Sequence, residues 1–399
     1  MKIDLQDEAI GHVRRLVSDI SSRMIGSPGN HVAADYIAEL FRKAGLSVEF
    51  QDFPCPDWAE EFTSLELGEE TLEASANTFS PSCDVRAPTI AVGTYEELLS
   101  AGISGQIPIF YGELAQRELA AKGAIYVSER DRKIIQLLEE RQPAGLITVN
   151  PSLYGRWRLI EDFDLAIPSV TVTARSGLKL IERAGDPVHM RISTHRTPSH
   201  SANVIGRLAG ERPERIVLCA HYDTKVDTPG ASDNAAGVAC LLTLVSCLCP
   251  SPHRHTLEWV AFSGEEMYGL GDMEYASRTG DGFNRIAAAI NFDGVGLRIA
   301  ANTIATFSAS KPFDEMIDRL KANYPGVVRV DPWPSSDHYI FYSNGVPSLA
   351  LSSLGVKDIY HTPADTVDWI SPDKLAEAML LAQDILLALD EKELDWGRP

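Results

Sequence analysis

Basic residues are scarce in this chain, where Lys and Arg number 36 against 56 Asp and Glu and the formal net charge is -20. A surface for nucleic acid or an anionic membrane needs a basic patch, which this composition does not offer. The six cysteines show neither zinc-finger spacing nor the density of a disulfide scaffold. No run approaches the roughly 18 uncharged apolar residues of a membrane span, and the N-terminus lacks an apolar signal segment. These absences predict a globular protein in the cytoplasm.

The length of 399 residues predicts two structural units, because single cores stop growing at roughly 250 to 300 residues. From residue 201 onward, apolar strands alternate with helical segments, which predicts an α/β fold with a mixed, mostly parallel sheet sandwiched by helices. Between about residues 58 and 196, short strand-like runs are broken by polar turns. We therefore expect a main domain formed by residues 1–62 and 197–399, with a smaller, strand-rich α/β domain inserted at 63–196.

Polar side chains follow three of the predicted strands. They are His221 after residues 216–220, Glu265 and Glu266 after 257–262, and Asp293 after 286–292. Ligands of open α/β sheets bind at the carboxyl ends of the strands. Asp223 is placed to hold the second ring nitrogen of His221 and so orient it as a metal ligand. The adjacent glutamates repel each other unless a cation is near, and they allow one to bind metal while the other moves protons.

Two further loops carry metal-ligand residue types. Asp233 lies among small residues at 230–237, from which its carboxylate can offer one oxygen to each of two metal ions. The same Ser-Asp-Asn pattern also begins helices, so an N-cap role for Asp233 is the alternative. His361 lies in a polar turn at 360–366 rather than on an apolar face, which suits a ligand.

Five side chains in one α/β domain thus have the chemistry of metal ligands. They are His221, Asp233, Glu266, Asp293 and His361. Two imidazoles and three carboxylates suit a pair of zinc ions, for which manganese or cobalt are possible substitutes. Each motif alone is ambiguous, but the set predicts a dinuclear metal centre.

In this order the motifs resemble those of the co-catalytic zinc exopeptidase family, which includes bacterial leucyl aminopeptidases, aminopeptidase Y and glutamate carboxypeptidases. The matching motifs are His221-x-Asp223, Ser232-Asp233-Asn234, Gly264-Glu265-Glu266, Asn291-x-Asp293, Ser336-Asp337-His338 and His361-Thr362. The likeness covers residues 20–50 and 200–385 and implies the zinc exopeptidase fold for the main domain. A looser likeness to a protease-associated domain covers the inserted segment, whose usual role is to shape access to the cleft or mediate contacts.

The resemblance also implies a role for each residue. The metal ligands would be His221 and Asp293 on one zinc, Glu266 and His361 on the other, and Asp233 bridging both. Glu265 would be the general base while a dizinc-bound hydroxide attacks the scissile carbonyl, and Tyr360 is a candidate donor to the developing oxyanion. The supporting residues would be Asp223, Asn234, Asp337 and His338. The peptide bond between Asp233 and Asn234 would be cis.

We expect an aminopeptidase, because an acidic site can hold a substrate ammonium whereas a carboxypeptidase needs arginines aimed at a terminal carboxylate. Arg278 and Arg298 are the nearest candidates in sequence, and they do not form a cluster. A carboxypeptidase, a glutaminyl cyclase and a non-catalytic binding module of the same fold are the alternatives, although the complete ligand set argues against the last. Peptide is the expected partner, neither nucleic acid nor membrane is expected, and a homo-oligomer is left open.

Overall fold

The computed structural model describes residues 2–125, 127–152, 158–355 and 358–399. The chain forms two compact units, which we call the first unit (Met1–Pro54 with His200–Pro399) and the second unit (Cys55–Ser199). Two long strands, Ser47–Leu67 and Pro187–Leu208, carry the chain from one unit into the other. Each unit is described separately below.

The helices and strands follow in chain order. The helices are α1 (Lys2–Arg14), α2 (Pro28–Lys43), α3 (Tyr95–Ser100), α4 (Glu129–Arg141), α5 (Ala174–Glu182), α6 (Ala236–Leu248), α7 (Leu270–Thr279), α8 (Lys311–Lys321), α9 (His338–Tyr342) and α10 (Pro372–Asp390). Short helical turns lie at Arg15–Ile20, Gly112–Ala115, Ala231–Ala235, Gly280–Arg285 and Val367–Trp369. The strands are β1 (Ser47–Leu67), β2 (Glu70–Leu72), β3 (Ala74–Ala76), β4 (Cys83–Val92), β5 (Ile107–Phe110), β6 (Leu146–Val149), β7 (Ser169–Val172), β8 (Pro187–Leu208), β9 (Arg212–His221), β10 (His255–Phe262), β11 (Ile286–Phe292), β12 (Ala301–Phe307), β13 (Val327–Arg329) and β14 (Ser348–Leu354).

The sheet of the first unit has the strand order β13-β12-β14-β11-β9-β10-β8. Neighbouring strands are parallel except at β12–β14 and β10–β8. Side chains alternate between the two faces of a strand. Leu218 and Trp259 therefore pack into the core shared with α1, α2, α6 and α10, while Phe262 meets Tyr275 of α7 and Phe341 of α9. The predicted mixed, mostly parallel sheet sandwiched by helices is confirmed.

The second unit has its own sheet. Strands β4, β5, β6 and β7 are parallel in that order, and β3 and part of β8 add antiparallel edges. A separate hydrophobic core includes Phe110 of β5, Ile134 and Leu138 of α4, and Leu146 of β6. The second unit therefore has the smaller, strand-rich α/β fold that the sequence predicts.

One helical stretch, Ala231–Leu248, is long and apolar enough to cross a membrane by length and composition. The stretch contains Ser232, Asp233 and Asn234, so it is not an uninterrupted run of uncharged apolar residues. Buried residues make up 89% of the stretch. Its apolar surface is therefore covered by the core of the first unit.

Candidate metal centre

The ends of three neighbouring strands bring the predicted ligand loops together. Strands β9, β10 and β11 run parallel, so their carboxyl ends lie at one edge of the sheet. His221 is the last residue of β9, Glu266 lies in the loop after β10, and Asp293 directly follows β11. The strand pattern alone thus places one imidazole and two carboxylates side by side.

Asp233 lies between the two predicted histidine ligands. Its Oδ1 is 3.2 Å from Nε2 of His221, and its Oδ2 is 3.2 Å from Nε2 of His361. Asp293 Oδ1 lies 3.6 Å from the same nitrogen of His221, and Glu266 Oε2 lies 3.3 Å from that of His361. The structure therefore brings all five predicted ligands together.

The donor atoms form two groups that share Asp233, and the atoms of each group lie within 4.8 Å of one another. We call the group of His221, Asp233 and Asp293 the His221 position, and the group of Asp233, Glu266 and His361 the His361 position. Each position offers one imidazole nitrogen and two carboxylates. Imidazole nitrogen and carboxylate oxygen are both donors that zinc binds in proteins.

Unpaired buried atoms show that these residues fit a cation. Both ring nitrogens of His221 and Oε1 of Glu266 are buried without a hydrogen-bond partner among the described residues. Burial raises the pKa of Glu266 well above its ordinary value, which His361 opposes. Buried carboxylates and imidazoles without partners are costly, and a divalent cation between them removes that cost.

Backbone contacts hold the loop that carries Asp233. The Asp233–Asn234 peptide bond is cis, as the resemblance implies. The side-chain amide of Asn234 donates to the carbonyl of Phe292 at 2.7 Å, and its Oδ1 accepts from the backbone N–H of Gly237 at 3.0 Å. A Cβ at Gly237 would meet these same two oxygens at 2.3 and 2.5 Å, so this position requires glycine. The N-cap residue of α6 is Ala235, and the side chain that accepts from the first turn of the helix is that of Asn234, so the alternative role of Asp233 as the N-cap is wrong.

Asp365 supports the same loop from the turn that carries His361. Its two oxygens accept from the backbone N–H groups of Ser232 at 2.8 Å and Asp233 at 3.0 Å. Burial raises the pKa of Asp365 to about 7, and these two hydrogen bonds oppose the rise. Asp365 thus orients the backbone from which Asp233 reaches both positions.

Replacing Asp365 by alanine is expected to weaken zinc binding by about 10- to 100-fold, the usual effect of losing a residue that orients a metal ligand. Asp368 is exposed and three residues away, so Asp368→Ala serves as the control. The measurement is competition for zinc with a chromophoric chelator. Equal affinities of the two variants would show that Asp365 does not position Asp233.

Asp223 contacts the neighbouring loop more closely than it contacts His221. Its Oδ1 lies 3.6 Å from Nδ1 of His221, which is longer than an ordinary hydrogen bond. The two oxygens instead accept from the backbone N–H groups of Glu265 at 3.3 Å and Glu266 at 3.2 Å. Asp223 therefore fixes the loop after β10, on which both glutamates lie.

The side chains of Glu265 and Tyr360 lie beside the two positions. Oε2 of Glu265 is 3.9 Å from Nε2 of His221, and burial raises the pKa of Glu265 to about 7 although His221 lowers it. The Tyr360 hydroxyl accepts from Ser232 Oγ at 3.4 Å and lies 3.5 Å from the carbonyl of Gly294. Burial raises the pKa of Tyr360, so its hydroxyl keeps its proton at neutral pH.

Asp337 and His338 lie behind the end of β11. The amide of Asn291, two residues before Asp293, donates to Nδ1 of His338 at 3.2 Å, and the other ring nitrogen is 2.8 Å from the carbonyl of Trp333. Burial lowers the pKa of His338 to about 4, so this ring is neutral. Both oxygens of Asp337 are buried without a hydrogen-bond partner in the described part of the chain, and burial raises its pKa well above the ordinary value.

Two buried cations near the site were not predicted as site residues. The guanidinium of Arg23 donates to five backbone carbonyls, those of Leu16, Ser21, Tyr222, Pro229 and Gly230. It thereby joins the segment after α1 to the loops that carry Asp223 and Asp233. Lys225, in the same loop as Asp223, donates to the carbonyl of Glu266 at 2.9 Å. The sequence signal that could have identified Lys225 is its position four residues after the predicted ligand His221.

Comparisons with known proteins cover the segment of the chain that carries the two positions. Residues 203–386 match the model of Peptidase family M28. The chain is 25% identical to Aminopeptidase YwaD of Bacillus subtilis over 93% of this chain and 82% of that protein. It is 27% identical to the probable lipoprotein aminopeptidase LpqL of Mycobacterium tuberculosis over 72% of this chain, and it spans 58% of that protein. The solved structure of BSAP, a zinc aminopeptidase from Bacillus subtilis, has a TM-score of 0.78 at 20% identity, with 99% of this chain and 98% of that one covered. The matched segment contains all five residues of the two positions.

Proposed function

We propose that this chain, whose residues 203–386 match the model of Peptidase family M28, is a co-catalytic zinc exopeptidase of that family and acts as a zinc-dependent aminopeptidase. The observation that carries the proposal is the convergence of the two positions on Asp233, with Glu265 beside them. We infer that the centre holds two zinc ions, with manganese or cobalt as substitutes. His221 and Asp293 would bind one ion and Glu266 and His361 the other.

The charge of the accessible part of the site supports action on N-terminal residues. Beside His361, which exposes 27% of its side chain, Asp293 and Glu265 expose 17% and 20%, so the open part of the centre presents two carboxylates that suit a substrate ammonium. Arg278 pairs with Glu274 at 2.6 Å, and Arg298 donates to the carbonyls of Asp368 and Ile370. The two candidate arginines for a terminal carboxylate are thus bound to other groups of the protein.

The residues around the centre have distinct tasks in the proposed reaction. When bound, zinc would polarise the scissile carbonyl and lower the pKa of a water molecule. Glu265 accepts the proton of the attacking water and passes it to the leaving amine. The Tyr360 hydroxyl donates a hydrogen bond to the oxyanion that develops on the carbonyl. Asp223 and Asp365 hold the two loops that carry these groups.

We also infer that residues 63–196 are a protease-associated-like insertion, which the compact core of the second unit supports. The domain boundaries stay predictions, and so do the role of this insertion and the cytoplasmic location. Peptide is the substrate class that follows from the family. A homo-oligomer stays open.

The activity is tested with a panel of aminoacyl anilides and their N-acetylated counterparts. We expect hydrolysis of the free amines only, because acetylation removes the ammonium that the anionic site holds. Removal of zinc by a chelator is expected to abolish hydrolysis, and added zinc is expected to restore it.

Each alternative activity gives a different result in this panel. Hydrolysis of N-blocked peptides with release of the C-terminal residue would indicate a carboxypeptidase. Ammonia release from N-terminal glutamine, without anilide hydrolysis, would indicate a cyclase. A protein that neither binds zinc nor hydrolyses any substrate would be a binding module.

A further inference from the structure

Lys225 lies directly behind one ligand of the His361 position. Its side chain is 10% exposed, and its ammonium lies 3.7 Å from Oε2 of Glu266. The same ammonium donates to the backbone carbonyl of Glu266 at 2.9 Å, which fixes its place. Oε2 is also the oxygen that faces Nε2 of His361 at 3.3 Å. A fixed positive charge thus adjoins the oxygen that would bind the cation.

The surroundings of the His221 position have the opposite charge. Nε2 of His221 lies 3.9 Å from Glu265 Oε2, and its Nδ1 lies 3.6 Å from Asp223 Oδ1. Asp223 also accepts from the backbone N–H of Glu266, so the contrast depends on Glu265 beside His221 and on the ammonium of Lys225 beside Glu266. The two positions share Asp233, so these neighbours distinguish them electrostatically.

We propose that Lys225 makes the two positions unequal, so that the His361 position binds its cation more weakly and fills second. The inference rests on the dinuclear centre of the proposed function. Lys225 is a positioning residue, since it acts on the cation through Glu266 and touches neither substrate nor reacting atoms. Like charges a few ångströms apart repel strongly where water is excluded, while the carboxylates near His221 attract a cation.

The alternative role for Lys225 has the opposite sign. If the ammonium mainly held the Glu266 carboxylate in place, its removal would loosen a ligand and weaken zinc binding at the His361 position. The charge argument predicts stronger binding instead. A change of side chain at residue 225 therefore separates the two roles by the direction of the effect.

The experiment is a zinc titration of the metal-free full chain, followed by competition with chelators of known affinity. We expect two binding steps separated by about tenfold or more in the unaltered protein. Lys225→Met is expected to strengthen the weaker step by about tenfold or more and to leave the tighter step within about threefold. Lys225→Arg keeps the charge and is expected to preserve the separation. Lys311→Met, at an exposed residue of α8, is the control for loss of a surface lysine.

His361→Ala identifies the steps, because it is expected to remove the weaker one. A weaker step that is unchanged or further weakened in Lys225→Met would overturn the inference. In that case anilide hydrolysis by the unaltered protein would leave the proposed function intact. Failure of the unaltered protein to bind zinc would instead contradict the proposed function, and the inference with it. If Lys225→Met does not fold, loss of the separation between the two steps in Lys225→Arg would refute the inference.

Discussion

Glu265→Gln is expected to lower kcat by about 10²- to 10⁴-fold, the usual contribution of a general base. Glutamine has nearly the same shape, but its amide cannot accept the proton of the attacking water. Glu265 belongs to neither group of converging donor atoms, and its Oε2 is 3.9 Å from Nε2 of His221. The variant should therefore keep its zinc. Steady-state kinetics and bound-metal analysis on the same preparation measure both quantities.

Glu274→Gln is the matched control, because Glu274 lies on α7 in an ion pair with Arg278. We expect this control to keep the unaltered kcat. Full activity of Glu265→Gln would remove Glu265 from the reaction. Loss of activity together with loss of zinc would assign Glu265 to metal binding instead.

Asp233→Ala is expected to empty both positions, since its two oxygens face different histidines at 3.2 Å each. Loss of the metal forfeits several kcal/mol of charge stabilisation, and about 4 kcal/mol corresponds to a fall of roughly a thousandfold in kcat. Bound zinc should drop below one ion per chain. Circular dichroism shows whether the variant is folded.

Asp293→Ala is the comparison for Asp233→Ala, because Asp293 belongs to the His221 position alone. We expect this variant to retain zinc at the His361 position. If the two variants lose equal amounts of zinc, Asp233 does not bridge the positions. If Asp233→Ala keeps two ions, the shared ligand has been assigned wrongly.

The ligand residues were predictable because each one follows a readable strand or occupies a distinctive turn. Asp293 comes directly after the apolar strand β11, and parallel neighbours bring its loop beside that of His221. The same reasoning predicted the mostly parallel sheet. The metal roles of these residues stay predictions until zinc is measured.

The supporting cations could not be predicted, because their roles depend on contacts between distant parts of the chain. Arg23 reaches the carbonyls of Pro229 and Gly230, and nothing in its local sequence specifies those partners. The role of Lys225 could not be predicted because it depends on the loop after β10, which places Glu266 beside the ammonium of Lys225. The hydrogen bonds of Asp223 differ from the expectation for a similar reason, since the backbone N–H groups of that loop lie closer than the ring of His221.

The division of the first unit between Met1–Pro54 and His200–Pro399 has a consequence for its assembly. All five predicted ligands lie in the later segment, but Arg23, which donates to the carbonyls of Pro229 and Gly230 just before Asp233, lies in the earlier one. During translation the earlier segment emerges long before its partners and must await them, while Cys55–Ser199 forms a contiguous segment with its own core. Domains tend to fold as units in the order of their synthesis. The insertion is therefore expected to fold first, and the predicted metal centre forms only after the segment that carries His361 has been made and the carbonyls of Pro229 and Gly230 have met Arg23.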